Sequence, residues 1–493
     1  MKTNFFLFLF IICSYFSWGQ DLGYSKIIIE EIKAQLKEES KNFASSPDLN
    51  LTQNELLKKK HQQKVEAELA MLKPELIIVD GELYNRVFKV FEKVIKSNPS
   101  IPQNTRLVIY RTNDFNAFTL GDNIVFVNLG LLFALKNEDQ LALVISHEIA
   151  HNTLQHVEQS MVKTVIRETD KELKSEVNSI LKTEYGKVTA LNELLLPRIL
   201  ESREISRNHE FEADSLGFIY FKNTNYNLKK AFSLFHAMEK QTKNLSDSLE
   251  IGKVLSLDLY PEIASKYYEY SKESSLGTFV EKDDLKPYLA THPYDRQRFV
   301  RLTILEKVDT LFENYKPSFD STFAVCEKII NHEIIANAFA EKNISQAIFY
   351  SVKHLESFPE DQVTLKYLSL SLGSLSFFKD RRLSGRFIDR QNPKNPEDYD
   401  RICAFSYSVS PNDCMVLSEE IERRIPQVEK SDACTSLTRL IFFLKNEQLD
   451  NFKDLWFEKY AEIYTTPYAW ILTEIENNLY YTKKLSYLKT KIK

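Results

Sequence analysis

The pentapeptide His147-Glu148-Ile149-Ala150-His151 constrains this chain more than any other stretch, because its chemistry needs a helix. At roughly 3.6 residues per turn, positions i and i+4 share a face, so both imidazoles can bind one cation. Glu148, beside the first imidazole, is placed to take a proton from water at that cation. Two imidazoles do not complete a hydrolytic zinc centre, which needs a third protein ligand and an open position. Downstream, Ser206-Arg207-Asn208-His209-Glu210-Phe211-Glu212-Ala213-Asp214 is again helical in pattern, with Glu210 and Asp214 at i and i+4. That spacing lets Glu210 bind the metal while Asp214 accepts the outer N–H of a ligand histidine and fixes its tautomer. His209 and Glu212 point about 100° and 200° away from Glu210, so the three cannot all face one ion.

The surroundings supply the elements that the motif requires. Residues 20–72 are charged and helix-forming, broken at Ser46-Pro47-Asp48. Asp80 then predicts an N-cap for a helix carrying Leu83, Val87, Val90, Phe91 and Val94 on one face. Strand-like runs over Leu107–Arg111 and Ile124–Asn128, separated by Gly121-Asp122-Asn123, begin a small mixed sheet. Asn137 with Gln140 opens the helix that bears both histidines. The charged helical stretch 162–200 reads either as a cover for a cleft or as an ordinary packed helical pair.

Composition narrows the class. At 43% hydrophobic and 27% charged residues the chain is globular, and its 493 residues suit roughly two to four domains of ~150 residues each. A net charge of −5 disfavours nucleic acid as a partner, and Lys58-Lys59-Lys60 is a solvated helix face. Lys2, the apolar run Phe5–Phe16 and the exit Ser17-Trp18-Gly19 predict a secretory signal peptide over 1–19, with the mature chain from Gln20. The run is shorter than the ~20 residues needed to span a bilayer, which argues against the alternative of a retained anchor. An exported protein with at most peripheral membrane contact is expected. Cys326, Cys403, Cys414 and Cys434 then permit one or two disulfides in an oxidising compartment, and without CxxC spacing they argue against a structural zinc site.

HEIAH, SRNHEFEAD and Gly217 together resemble the zinc metallopeptidase family of CAAX prenyl endopeptidases, HtpX-like membrane proteases and periplasmic BepA-like proteases. The similarity extends through Asn116-Ala117-Phe118, Asn128, Gly130-Leu131-Leu132, Asn137–Leu141 and Thr291-His292-Pro293. It implies one zinc ion per chain on His147, His151 and Glu210, with Glu148 as general base and Asp214 behind a ligand. It also implies that Ile124–Asn128 is a sheet edge on which an extended substrate pairs, with Asn116 and Asn128 as substrate-edge candidates. His292 resembles a histidine that occupies the fourth metal position in the BepA-like branch; a histidine packed beside a loop proline is the other reading. His156 resembles a common family position and reads as structural. The transmembrane helices of the membrane-embedded members are missing from this sequence, so cleavage of prenylated proteins is not implied.

The expected fold class is α+β: a mostly helical, gluzincin-type peptidase domain with a small mixed sheet over 73–315, then an all-α domain over 316–493. Around Ile344, Ala347, Leu355 and Pro359 the spacing is near that of a tetratricopeptide repeat, against the alternative of an irregular helical bundle. The expected function is a metalloendopeptidase of the cell envelope, periplasmic or peripheral to the outer membrane, acting on misfolded or unassembled proteins. The rival is a chaperone or assembly scaffold in which the helical domain binds envelope-assembly proteins. Glu148 separates them, because the hydrolase needs it and the scaffold does not.

Overall fold

Two helices, α1 (Leu22–Lys41) and α2 (Leu51–Met71), flank the break at Ser46-Pro47-Asp48. The computed structural model describes residues 22–182, 187–242, 249–265, 301, 321–392, 395–427 and 431–481. Asn50 opens α2 with a capping box: its side chain accepts from the Gln53 N–H, and the Gln53 side chain accepts from the Asn50 N–H. Then come β1 (Ile77–Ile78), α3 (Gly81–Ser97), β2 (Arg106–Tyr110), β3 (Ala117–Thr119), β4 (Ile124–Asn128), α4 (Leu129–Ala134) and α5 (Glu138–Thr153). Asp80 sits at the N-cap of α3, though its side chain makes no capping bond there.

The sheet runs β1-β2-β4-β3, with β2 parallel to β4 and each outer strand antiparallel to its neighbour. Strands β1 and β3 are too short for alternating hydrophobicity to announce them. Ile124–Asn128, expected at the sheet edge, is an interior strand hydrogen-bonded to β2 on one side and β3 on the other. All five of its residues are buried, as a strand covered on both faces requires. The edge beside it is Ala117–Thr119. Val108, Ile124 and Phe126 pack against Ile29, Ile32 and Leu36 of α1. Leu107, Ile109, Val125 and Val127 alternate to the opposite face, and α3 and α5 pack on that sheet.

Helix α2 closes the α1 side, where its Leu69 and Met71 pack against the same cluster. Its Leu57 joins Leu49 and Val165 in a small core, and Gln53 donates to the Thr169 hydroxyl at 2.8 Å. Val165 and Thr169 lie on α6 (His156–Thr169), so the start of the charged 162–200 stretch is ordinary packing against α2. The following α7 (Lys171–Lys182) buries no residue. Glu68 of α2 is wholly buried, near an ion pair between Lys64 and Asp122. Burial, reinforced by Asp122, pushes the Glu68 carboxyl well above its ordinary value.

After α8 (Lys187–Lys222), α9 (Leu228–Thr242) and the single turn α10 (Ile251–Val254), the chain is helical throughout its described length. The helices are α11 (Ser321–Ala340), α12 (Ile344–Ser357), α13 (Gln362–Asp380), α14 (Glu397–Ser408), α15 (Pro411–Arg423), α16 (Ala433–Lys445), α17 (Leu449–Ile463) and α18 (Ala469–Tyr481). Side-chain N-caps recur: Asn343, Asp361, Ser410 and Asp432 each accept from the N–H three residues on. Ile344, Ala347 and Leu355 are buried in the shared core. Helix α13 packs against α12, α15 and α16.

Among the described residues, one compact unit takes in 22–239, 301 and 321–326, and the other 240–242, 249–265 and 327–481. Leu249, Ile251, Val254 and Ile263 sit in the core of the second unit, so the units are not consecutive stretches of chain. Cys326, Cys403, Cys414 and Cys434, expected to permit disulfides, are all free and buried. Each lies on a different packed helix, and burial raises the Cys326 thiol to about 11 and Cys403 to about 12. No described helix is long and apolar enough to cross a membrane.

Candidate metal centre

Helix α5 has a fixed start. The Asn137 side chain accepts from the Gln140 N–H at 2.9 Å, and the Gln140 amide accepts from the Lys136 N–H and donates to Ser233 Oγ, each at 2.7 Å. Leu141, Ile145 and Ile149 anchor the helix in the core, which leaves His147 and His151 partly exposed on another face. Helix α8 packs along α5 at a separation set by Gly217. A Cβ there would lie 2.8 Å from His147 Cα and 2.9 Å from its N, closer than carbon atoms pack. Ala213, one turn earlier on α8, is fully buried and also small.

This close approach brings Glu210 to the two histidines. His147 Nε2 and His151 Nε2 are 3.1 Å apart, Glu210 Oε2 is 3.5 Å from His147 Nε2, and Glu210 Oε1 is 3.6 Å from His151 Nε2. Among the described residues these three form one of two groups whose donor atoms all lie within 4.8 Å. Glu148 and Glu210 are both buried, at 8% and 6% exposure, so neither carboxylate is an ordinary solvated charge.

The outer nitrogens are held too. His147 Nδ1 lies 3.0 Å from Asp214 Oδ1, the relation expected from the i, i+4 spacing on α8. His151 Nδ1 meets His156 Nδ1 at 2.9 Å, and His156 Nε2 meets Glu212 Oε2 at 3.1 Å. One proton arrangement satisfies the chain: His151 Nδ1–H donates to His156 Nδ1, and His156 Nε2–H donates to Glu212. Both inward nitrogens then keep their lone pairs. Burial lowers the pKa of His156 despite Glu212, and of His209, whose ring stacks on His156 at 4.2 Å between centroids. His156 is therefore neutral near pH 7, as the relay requires.

Sequence reasoning set His156 aside as structural and Glu212 and His209 as pointing away from the ion. All three do point away, and together they buttress His151. The missed signal was the break between α5 and α6: Gln155 adopts a left-handed backbone with φ 55°, which turns His156 back toward His151. Asn116 is exposed at the start of the edge strand, whereas Asn128 is buried and its N–H donates to the Asn116 carbonyl at 3.1 Å. The edge strand lies against α5, where Thr119 Oγ1 donates to Asn152 Oδ1 at 2.5 Å. Gly130 admits the Asn113 carbonyl to within 2.1 Å of where a Cβ would stand. His292 lies outside the described residues.

Comparisons with known proteins identify the class of this domain. Residues 83–306 match the family model of Peptidase family M48. The chain is similar to the mitochondrial metalloendopeptidase OMA1 of Saccharomyces cerevisiae, 22% identical over 50% of this chain and 74% of that protein. It is also similar to a putative beta-barrel assembly-enhancing protease of Vibrio cholerae, 24% identical over 31% of this chain and 32% of the relative. To the mitochondrial metalloendopeptidase OMA1 of Bos taurus it is 33% identical over 18% of each protein. The latter two matches thus span less than a third of the relatives' length. With HEIAH and SRNHEFEAD both inside residues 83–306, the chain carries a metallopeptidase domain of Peptidase family M48.

Proposed function

We propose that this chain is a zinc-dependent endopeptidase of the cell envelope that hydrolyses peptide bonds in misfolded or unassembled proteins. The observation that carries the reading is the convergence of two imidazole nitrogens and one carboxylate from α5 and α8. Tetrahedral zinc with bonds of ~2.0–2.1 Å places its donors about 3.4 Å apart. The 3.1 Å between the two imidazole nitrogens, and the 3.5 and 3.6 Å from each of them to its own facing oxygen of Glu210, are close to that spacing.

Zinc held by His147, His151 and Glu210 would act as a Lewis acid toward water and the scissile carbonyl. The chain's own part is proton handling and orientation. Glu148, buried beside His147, takes the proton from the attacking water and returns it to the leaving amine. Asp214 and the His156–Glu212 pair fix the two rings with their Nε2 lone pairs inward. An extended segment adds to the outer side of Ala117–Thr119, past the exposed Asn116, through main-chain hydrogen bonds that any sequence can supply. That indifference suits a substrate recognised by being unfolded.

The helical unit, which we read as tetratricopeptide-like, recruits substrate or assembly partners. Export is supported by the apolar run behind Lys2, and an envelope role by the similarity to a protein named as a beta-barrel assembly-enhancing protease.

Purified full-length chain should cleave a reduced, unfolded protein, lose that activity to a chelator and regain it with Zn2+. Cleavage that persists after the bound metal is removed would refute the reading. His156→Gln should weaken zinc binding by about 10- to 100-fold, measured against a competing chromophoric chelator. An unchanged affinity would reduce His156 to packing.

A further inference from the structure

The second group of metal-competent donors among the described residues lies in the helical unit, far along the chain from the first. His332 comes from α11, His354 from the last turn of α12, and Asp361 from the N-cap of α13, so three successive helices meet there. His332 and His354 are 7% and 2% exposed. Their rings stand at 81° with centroids 5.6 Å apart.

An aspartate–histidine hydrogen bond explains part of this cluster. His332 Nε2 lies 2.8 Å from Asp361 Oδ1, the oxygen that also accepts from the Thr364 N–H at 2.9 Å. It does not explain His354. That Nε2 is buried, has no hydrogen-bond partner among the described residues, and stands 3.9 Å from Asp361 Oδ2. The distance is too long for a hydrogen bond and suits two donors sharing one small cation. The two imidazoles thus face the two oxygens of one carboxylate, and one donor atom from each of the three residues lies within 4.8 Å of the others. Lys328 Nζ is 3.7 Å from Asp361 Oδ2, but its side chain is 53% exposed and has solvent to move into.

We propose that His332, His354 and Asp361 form a second divalent transition-metal site, one that staples α11, α12 and α13 together. Two imidazoles and one carboxylate select Zn2+ or Co2+ over Ca2+ and Mg2+, whose sites are built from oxygen. The ion ties the helical unit's folding to metal supply. This site stands apart from peptide hydrolysis and survives if the peptidase reading fails.

The test uses full-length chain in which His147→Ala and His151→Ala remove the first centre. After equilibration with Zn2+ and desalting, elemental analysis should find one zinc per chain, and added Zn2+ should raise the unfolding midpoint. In that background, His354→Gln and Asp361→Asn should each lower zinc affinity by at least about 100-fold, read against a chromophoric chelator. Asn still caps a helix, so Asp361→Asn remains informative should His354→Gln misfold. Zinc absent from the His147→Ala/His151→Ala chain, or retained with undiminished affinity in Asp361→Asn, would overturn the site.

Discussion

Glu148→Gln should lower cleavage of an unfolded protein substrate by about 10³-fold or more, leaving zinc content and thermal unfolding essentially unchanged. The magnitude follows from general acid–base catalysis, worth ~10²–10⁴-fold, which under the proposed mechanism would be lost in both proton transfers. Glutamine keeps the size and the hydrogen-bonding reach of the buried side chain, so a collapse of the fold is not the expected cause. The rate is read from single-turnover digestion with metal analysis on the same sample. Residual activity within tenfold of the parent would remove Glu148 from the mechanism. Should the variant lose cleavage yet sustain the protein's cellular role, the scaffold reading of the helical unit takes precedence.

Gly217→Ala should destabilise the peptidase unit and weaken its metal centre, even though alanine is the better helix former. Two effects oppose each other. Helix propensity favours alanine by roughly 1 kcal/mol. Against it, the new methyl would sit 2.8 Å from the His147 Cα, where only backbone can yield. Overpacking of that kind costs ~1–3 kcal/mol, and the displacement falls on the helix that holds two of the three donors. The expected result is an unfolding midpoint several degrees lower, with cleavage reduced by about 10²-fold, as misplacement of ~1 Å at reacting groups can cause. A raised midpoint with unaltered zinc affinity would show that α5 and α8 have slack.

The reach of the sequence depended on how local each signal was. Periodicity over Leu83–Val94 and the Asn137–Gln140 cap needed no tertiary information, and α3 and α5 start where those signals lie. HEIAH and SRNHEFEAD each specify a helix face by spacing alone, so the meeting of His147, His151 and Glu210 required only that the two helices approach. Glycine at 217 is the residue that permits this, a role visible only once its neighbour is known. The interior position of Ile124–Asn128 stayed hidden because a buried strand and an edge strand can share a sequence; their difference lies in the three-residue partner Ala117–Thr119. His156 and Glu212 were underrated for a related reason. Their alignment depends on a left-handed Gln155, a conformation glutamine's identity does not advertise. In the helical unit, His332, His354 and Asp361 sit at spacings that match no linear metal motif and converge only through helix packing.

The buried Glu68 gives the peptidase unit an alkaline vulnerability. Because its carboxyl is held neutral in the folded chain and ionises freely once unfolded, the unfolded chain releases a proton that the folded one keeps. Folding free energy is therefore undiminished in acid below the ordinary glutamate range. It declines as pH climbs from that range toward the raised value, by up to about 1.4 kcal/mol per pH unit. Glu68→Gln should flatten this slope, with denaturant titrations at pH 5 and pH 8 giving nearly equal stabilities.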